Sequence, residues 1–323
     1  VLVCSRSATG CEEGMPYHFI RDDRSVESGV RRIALEQIDK ALGAIGACAA
    51  RPDTAVHELR KSCKKVRGLL RLVRPAFERY KIENAAFRDT AGIVSALRDA
   101  TVLAASYDAI VDGCQDRIDR QVIGSIRRHL TQQSRNSEVD VDFTRLLVEC
   151  SGNLRDAADR VRDWRLDADG FAAMHGGFAK TYRRARKAMR KTREAPSPER
   201  FHEWRKRCKY HGYHARLLRP IWPGPMKAHA KCAYELGSLL GKYHDLAVLL
   251  ERLTARPSDL SHIGGVEAIA GLVRSKQAIL EKRAFPLGKR LLAASPSALA
   301  SSWGARYAAW REELRPEIRN GGS

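Results

Sequence analysis

The stretch VHELRKSCKK, at residues 56–65, places one histidine and one glutamate among four basic side chains. Arg can hold phosphate oxygens through a planar set of N–H donors, and Lys acts on them as a point charge. Continued along a helix, the basic side chains form one stripe with spacings of 3, 4, 3, 4 and 3 residues. The stripe consists of His57, Arg60, Lys64, Arg67, Arg71 and Arg74, and Lys61 widens it. This pattern indicates that the segment binds a polyanion.

An apolar stripe follows the other side of the same segment, at spacings of 4, 3, 4 and 3 residues. It consists of Leu59, Cys63, Val66, Leu70 and Val73. The two stripes together predict an amphipathic helix whose apolar side faces a core. Like charges three and four residues apart repel each other, and a helix that is only solvated usually mixes charge signs. The basic stripe therefore favours a site that an anion completes.

The segment 57–75 recurs at 202–220 without gaps, and ten of the nineteen aligned positions are identical. The second copy repeats the basic stripe through His202, Arg205, Lys209, Arg216 and Arg219, while Gly212 interrupts it. Lys206 matches Lys61 beside the stripe. A second match, LRDATVL at 97–103 with YHDLAVL at 243–249, lies at nearly the same offset. Two collinear matches predict an internal duplication.

A third basic cluster, KTYRRARKAMRKTR at 180–193, contains eight Arg or Lys residues and no acidic residue. Arg183, Arg186 and Arg190 flank the apolar side of this predicted helix, so we expect them to turn toward a groove. Lys180, Arg184, Lys187 and Lys191 are expected to point further outward. The alternative is that the whole cluster is a solvated basic surface.

Helical periodicity dominates the chain, and strand signals are nearly absent. The predicted helices are 26–48, 54–73, 82–98, 99–111, 115–137, 140–163, 171–192, 199–218, 224–242, 245–255, 264–294 and 297–313, with a break at RLDADG (165–170). The expected fold is all-α, with two similar helical bundles in tandem that are joined near residue 166. We expect the first half at 15–166 and the second at 167–323. Residues 1–14 precede Met15 and are expected to be a remnant of added sequence or a misplaced start.

The net charge of +20 over 323 residues favours a polyanionic partner, and the apolar fraction of 44% fits a globular protein. No apolar run is long enough to predict a membrane span. The eight cysteines form no C-x-x-C pair, which argues against a structural zinc site, and free thiols suggest a cytoplasmic location.

The doubled VHELRK and FHEWRK segments resemble the signature of the CHAD family, the conserved-histidine α-helical domain. LRDATVL, YHDLAVL and the basic TYRRARKAM segment resemble further motifs of the family, and the resemblance covers roughly residues 17–313. It implies two halves that resemble four-helix bundles and are related by an internal pseudo-two-fold axis. It also implies a central basic groove that binds inorganic polyphosphate without catalysis, in some members on polyphosphate granules. Matched by motif, the family's basic site falls on His57, Arg60, Lys61, Lys64, His202, Arg205, Lys206 and Lys209. We expect no cofactor, no resident metal, no membrane and no obligate protein partner.

Two other functions stay open. A nucleic-acid-binding protein would carry the same charge, although single-strand binders usually interleave aromatic residues with their cations, and here only Tyr210 and Tyr213 do so. A metal-dependent phosphohydrolase would need His244-Asp245, with His211 and His214 as further ligands. The roles of His57 and His202 are also open, because each could donate to a ligand or fix a neighbouring helix.

Overall fold

The structure is a computed structural model, and it describes residues 17–48, 52–94, 106–110, 123–128, 143–254 and 266–313. No strand occurs in those ranges. The all-α prediction is therefore confirmed. The predicted helices at 99–111 and 115–137 fall largely outside the described residues, although 106–110 and 123–128 are helical.

Four helices before residue 166 form a bundle: α1 (Val26–Gly46), α2 (Pro52–Val73), α3 (Tyr80–Ile93) and α4 (Phe143–Arg162). α1 packs against α2 and α4, and α3 closes the bundle by packing against the same two helices. Ser25 begins α1 with a capping box, in which Ser25 and Ser28 each accept a hydrogen bond from the other's backbone N–H. The apolar stripe of α2 is buried, as the sequence predicts.

The second set of helices comprises α5 (Gly170–Glu194), α6 (Pro198–Leu217), α7 (Pro223–Thr254), α8 (Val266–Leu291) and α9 (Pro296–Glu312), with a 3₁₀ turn at Arg219–Ile221. α5, α6, α7 and α8 pack in that order, and α9 packs against α5. α6 begins within one residue of the predicted start at 199, and the Ser197 side chain caps it. The predicted break between 242 and 245 is wrong, because α7 is continuous there.

The predicted break at 165–170 lies between α4 and α5 and forms hydrogen bonds with the start of α1. The backbone N–H of Leu166 donates to Glu27 at 2.8 Å, and Asp169 accepts from the N–H of Val26 at 2.7 Å. Gly170 begins α5 with a φ of 58°, a left-handed conformation that favours glycine. The proposed boundary between the halves falls within this hydrogen-bonded segment.

Buried apolar side chains join the two sets of helices. The core of α1–α4 also contains Met174 and Phe178 from α5, and Trp303 and Trp310 from α9. In the opposite direction, residues 106–110 and 123–128 pack against α7 and α8. Each set of helices therefore supplies part of the core of the other.

α2 crosses the second set at two points, and a glycine lies at each of them. A Cβ atom on Gly177 of α5 would lie 1.9 Å from the carbonyl oxygen of Leu72, so only glycine fits at this crossing. Gly68 of α2 faces Tyr213 of α6, and its carbonyl oxygen lies 3.1 Å from Nε2 of His214. These two contacts fix the orientation of α2 across α5 and α6.

Candidate functional site

A cleft of about 560 Å³ opens between α2, α6 and α7. Its lining comprises Arg60, Lys64 and Arg67 from α2; His202, Arg205, Lys206, Lys209, Tyr210 and Tyr213 from α6; and His244, Asp245, Val248 and Arg252 from α7. Seven of these side chains are Arg or Lys, and one is a carboxylate. The two copies of the basic motif therefore face one shared cleft, whose charge suits an anion.

The α7 wall of the cleft is held close to α6 by small residues. A Cβ atom on Gly241 would lie 3.2 Å from Nε of Arg205, and one on Gly237 would lie 3.4 Å from Cγ of Lys209. Further along, a Cβ atom on Gly212 would meet Ala233 at 3.4 Å. The two antiparallel helices thus pack closely while the stems of Arg205 and Lys209 pass over glycines toward the cleft.

The glutamate of each basic motif pairs with the lysine three residues later. Glu58 lies 3.1 Å from Lys61 and 3.3 Å from Lys40 on α1, and Glu203 lies 3.0 Å from Lys206 and also pairs with Arg207. Burial alone would raise the pKa of each carboxyl, but these cations lower it below its ordinary value. The recurrent glutamate therefore orients cations at the edge of the site and stays charged.

His202 lies in the cleft beside His244, with 4.3 Å between their ring centroids. Burial, followed by the charges of His244, Lys206 and Arg205, lowers the pKa of His202 to about 4. Its buried Nδ1 accepts no hydrogen bond from the described part of the chain. A neutral imidazole in this position can share a proton with an anionic ligand.

Two tyrosines form the inner end of the cleft. Tyr210 stacks beneath the guanidinium of Arg71, whose carbon lies 4.0 Å from the ring centroid. Tyr213 contacts Tyr17 edge-on, with 6.0 Å between centroids, and the Tyr17 hydroxyl donates to the carbonyl of Lys65 at 2.7 Å. Both rings are therefore engaged in packing between helices.

Seven of the fourteen residues predicted for the site line the cleft: Arg60, Lys64, Arg67, His202, Arg205, Lys206 and Lys209. His57 is exposed one turn before Arg60, and Lys61 pairs with Glu58 outside the lining. Arg71 is buried and donates to Asn84 at 2.6 Å and to the Arg67 carbonyl at 2.8 Å. Arg216 is half-buried beyond Tyr213.

Arg183, Arg186 and Arg190 on α5 do not line this cleft. The side of α5 that meets α2 is marked by Gly177 and Thr181, and the three arginines lie on other sides of the helix. Arg190 instead pairs with Glu194 at 3.5 Å. The expectation that these three residues turn toward the groove does not match their positions.

The histidines suggested as further metal ligands lie elsewhere in the fold. His211 and His214 are both fully buried. Nε2 of His211 lies 2.7 Å from Nε2 of His229, and His214 donates to Gly68. Within the described ranges, no group of three His, Cys, Asp or Glu side chains has the geometry to hold a metal ion. The ligand set that combined His211 and His214 with His244 and Asp245 is therefore not assembled.

Sequence reasoning missed Arg252, which joins the cleft from the last turn of α7. A signal was present, since Asp245, Val248 and Arg252 are spaced 3 and 4 residues apart and share one side of a helix. All three residues lie within the predicted helix 245–255.

Comparison with known proteins places these features in a family. The sequence profile of the CHAD domain matches residues 32–254. The chain belongs to the CHAD domain family. This family is associated with polyphosphate binding.

A solved structure supports the CHAD fold independently. The chain is similar to the crystal structure of the CHAD domain from the plant Ricinus communis, with a TM-score of 0.55 and 17% sequence identity. The similarity covers 88% of this chain and 97% of the plant CHAD chain. No curated protein matches the sequence. Among the described residues of this CHAD protein, no helix is both long and apolar enough to span a membrane.

Proposed function

We propose that this CHAD protein binds inorganic polyphosphate without catalysis, in the cleft between α2, α6 and α7. The observation that carries the proposal is the cleft itself, where seven cations from three helices surround a single carboxylate. Membership of a family associated with polyphosphate binding supports the same ligand. A cytoplasmic location, with recruitment to polyphosphate granules, is part of this proposal.

The chemistry of the lining favours a phosphate chain over nucleic acid. Phosphate oxygens need only cations and N–H donors, which Arg60, Arg67 and Arg205 offer. A single-stranded nucleic acid would also need open aromatic faces for its bases. The two tyrosines of the cleft are already packed, Tyr210 against Arg71 and Tyr213 against Tyr17.

The test compares two variants that lose the same charge. Lys64→Gln/Arg205→Gln/Lys209→Gln removes three cations from the cleft, and Lys282→Gln/Arg283→Gln/Lys289→Gln removes three exposed cations from α8. Titration calorimetry with polyphosphate should show at least a roughly tenfold loss of affinity for the cleft variant and little change for the α8 variant. Equal losses of affinity in both variants would show that net charge alone determines binding, and would reject the cleft as the binding site.

Competition separates the two ligand classes. Excess polyphosphate should displace a labelled oligonucleotide, whereas excess oligonucleotide should displace polyphosphate only weakly. The reverse order would favour the nucleic-acid function. Release of phosphate from polyphosphate on addition of a divalent metal would instead favour the phosphohydrolase.

A further inference from the structure

The C-terminal part of α5 presents a second basic surface outside the cleft. Lys180, Arg183, Arg184, Lys187, Lys191 and Arg193 are all exposed. Apart from the Arg190–Glu194 pair, no cation of this segment pairs with a carboxylate in the described part of the chain. Like charges at i, i+3 and i+4 along this segment repel each other, and a bound polyanion would relieve that repulsion.

Part of this surface continues the side of α5 against which α2 packs. α2 packs across α5 and α6, meeting α5 at Gly177 and Thr181. Arg184 and Lys191 follow Thr181 by 3 and 10 residues and so continue the side of α5 that faces α2, while Lys187 lies next to them toward solvent. We call Arg184, Lys187 and Lys191 the α5 patch.

Cations on α2 connect the cleft with the α5 patch. Arg67 lines the cleft, and Arg74 follows it by seven residues, or about 10 Å along the helix. Arg74 donates to Thr181 at 3.2 Å and to the Gly177 carbonyl at 3.3 Å, so its guanidinium lies on α5. Burial, together with the charges of Arg184 and Arg71, lowers the pKa of Arg74 to about 10. α2 therefore carries one cation in the cleft, Arg67, and another against α5, Arg74.

We propose that the α5 patch is a second anchoring surface for the same polyphosphate chain, reached past Arg74 by chains too long for the cleft. This inference rests on the proposed function. A chain held in the cleft would present its free part to the α5 patch at a high effective concentration, so the second contact raises overall affinity without a second ligand. Selectivity for long chains follows, because a short chain occupies the cleft alone.

The experiment measures the affinity of the full chain for tripolyphosphate and for long-chain polyphosphate. Arg184→Gln/Lys187→Gln/Lys191→Gln removes the α5 patch. Arg183→Gln/Arg190→Gln/Arg193→Gln is the matched control, because it removes three exposed cations from other sides of the same helix. The patch variant should bind long-chain polyphosphate about tenfold more weakly and tripolyphosphate as tightly as the unchanged protein. The control variant should match the unchanged protein for both ligands.

Two outcomes would overturn the inference. If the patch and control variants lose affinity for long-chain polyphosphate equally, the loss is due to net charge and not to the α5 patch. If the patch variant binds both ligands with the affinity of the unchanged protein, the α5 patch does not contact polyphosphate. Failure of the unchanged protein to bind either ligand would reject the proposed function first, and the two failures are thus distinguishable.

Discussion

Tyr213 of α6 lies directly against Gly68 of α2, at the position that corresponds to Gly68 in the repeated segment. A Cβ atom on residue 68 would lie 2.9 Å from Cδ2 of Tyr213 and 3.1 Å from the Tyr17 hydroxyl oxygen. The close contact sets the separation of the two helices that supply most of the cleft. It uses a difference between the two copies, a glycine in one and a tyrosine in the other.

We predict that Gly68→Ala lowers the free energy of unfolding by about 1–3 kcal/mol, because the new methyl group overpacks the crossing. Polyphosphate affinity should fall as well, since Tyr213 lines the cleft. Urea denaturation and calorimetry measure the two effects. Gly152→Ala in α4 is the control, because a Cβ atom there meets nothing within 4 Å, and this change should be neutral or stabilise the helix by up to about 1 kcal/mol. Equal stability of the two variants would contradict the prediction.

We predict that the protein loses stability as the pH falls from about 6.5 toward 4. Burial lowers the pKa of His214 to about 3 and of His229 to about 4, and holds that of His211 well below its ordinary value. The unfolded chain binds protons on these histidines below about pH 6.5 while the folded chain does not, so acid favours unfolding. As the pH falls through this window, each histidine lowers the free energy of unfolding by about 1 kcal/mol per pH unit. At pH values above the window, its contribution to stability is fully present.

Urea denaturation at a series of pH values measures this slope. His214→Gln keeps a donor for the Gly68 carbonyl but removes the titrating group, so its stability should depend less steeply on pH. A free energy of unfolding that stays constant between pH 7 and 5 would show that these histidines are not held neutral.

We predict that His202 and His57 contribute unequally to binding, although they occupy equivalent motif positions. His202 lines the cleft, whereas His57 is exposed outside it. His202→Asn should weaken polyphosphate binding by about 1 kcal/mol, or roughly fivefold, and His57→Asn much less. Equal losses in both variants would contradict the cleft geometry.

The same histidine should make binding depend on pH. The pKa of His202 is about 4 in the empty cleft, and a bound polyanion raises it. Binding therefore takes up protons, and affinity should rise as the pH falls from 7 toward 5. His202→Asn should flatten this rise, and a rise of the same size in the variant would assign it to another group.

We predict a binding role for Arg252, which only the structure brings to the cleft. Arg252→Gln should lower the slope of log affinity against log salt concentration by about 0.7–0.9, the value for one lost phosphate contact. Arg283→Gln, which removes an exposed charge from α8, is the matched control and should leave the slope unchanged. An unchanged slope for Arg252→Gln would show that Arg252 makes no contact with the bound phosphates.

The sequence predicted the helices better than it predicted which cations line the cleft. Spacing alone places Arg60, Lys64, Arg67 and Arg71 on one stripe, but the stripe is longer than the cleft. Arg71 lies where α2 crosses α6, and packing with Tyr210 and Asn84 takes it out of the lining. Which part of a stripe is open depends on where helices cross, and this is a tertiary property.

α7 shows a similar limit. Gly237 and Gly241 lower intrinsic helix propensity in the segment LGSLLGKYHD, which favours the predicted break. In the fold, these glycines leave room for Lys209 and Arg205, and close packing against α6 outweighs the propensity. The continuous helix then carries Arg252 to the cleft.

The exchange of core residues between the two sets of helices has a consequence for synthesis on the ribosome. α1–α4 emerge first, but Trp303 and Trp310, which complete their core, belong to α9 and follow the end of α4 by about 140 to 150 residues. Apolar surface of α1–α4 therefore stays exposed until α9 has been synthesised. We expect chaperones to bind the chain during that interval. The part of the chain that is made first is thus among the last to complete its core.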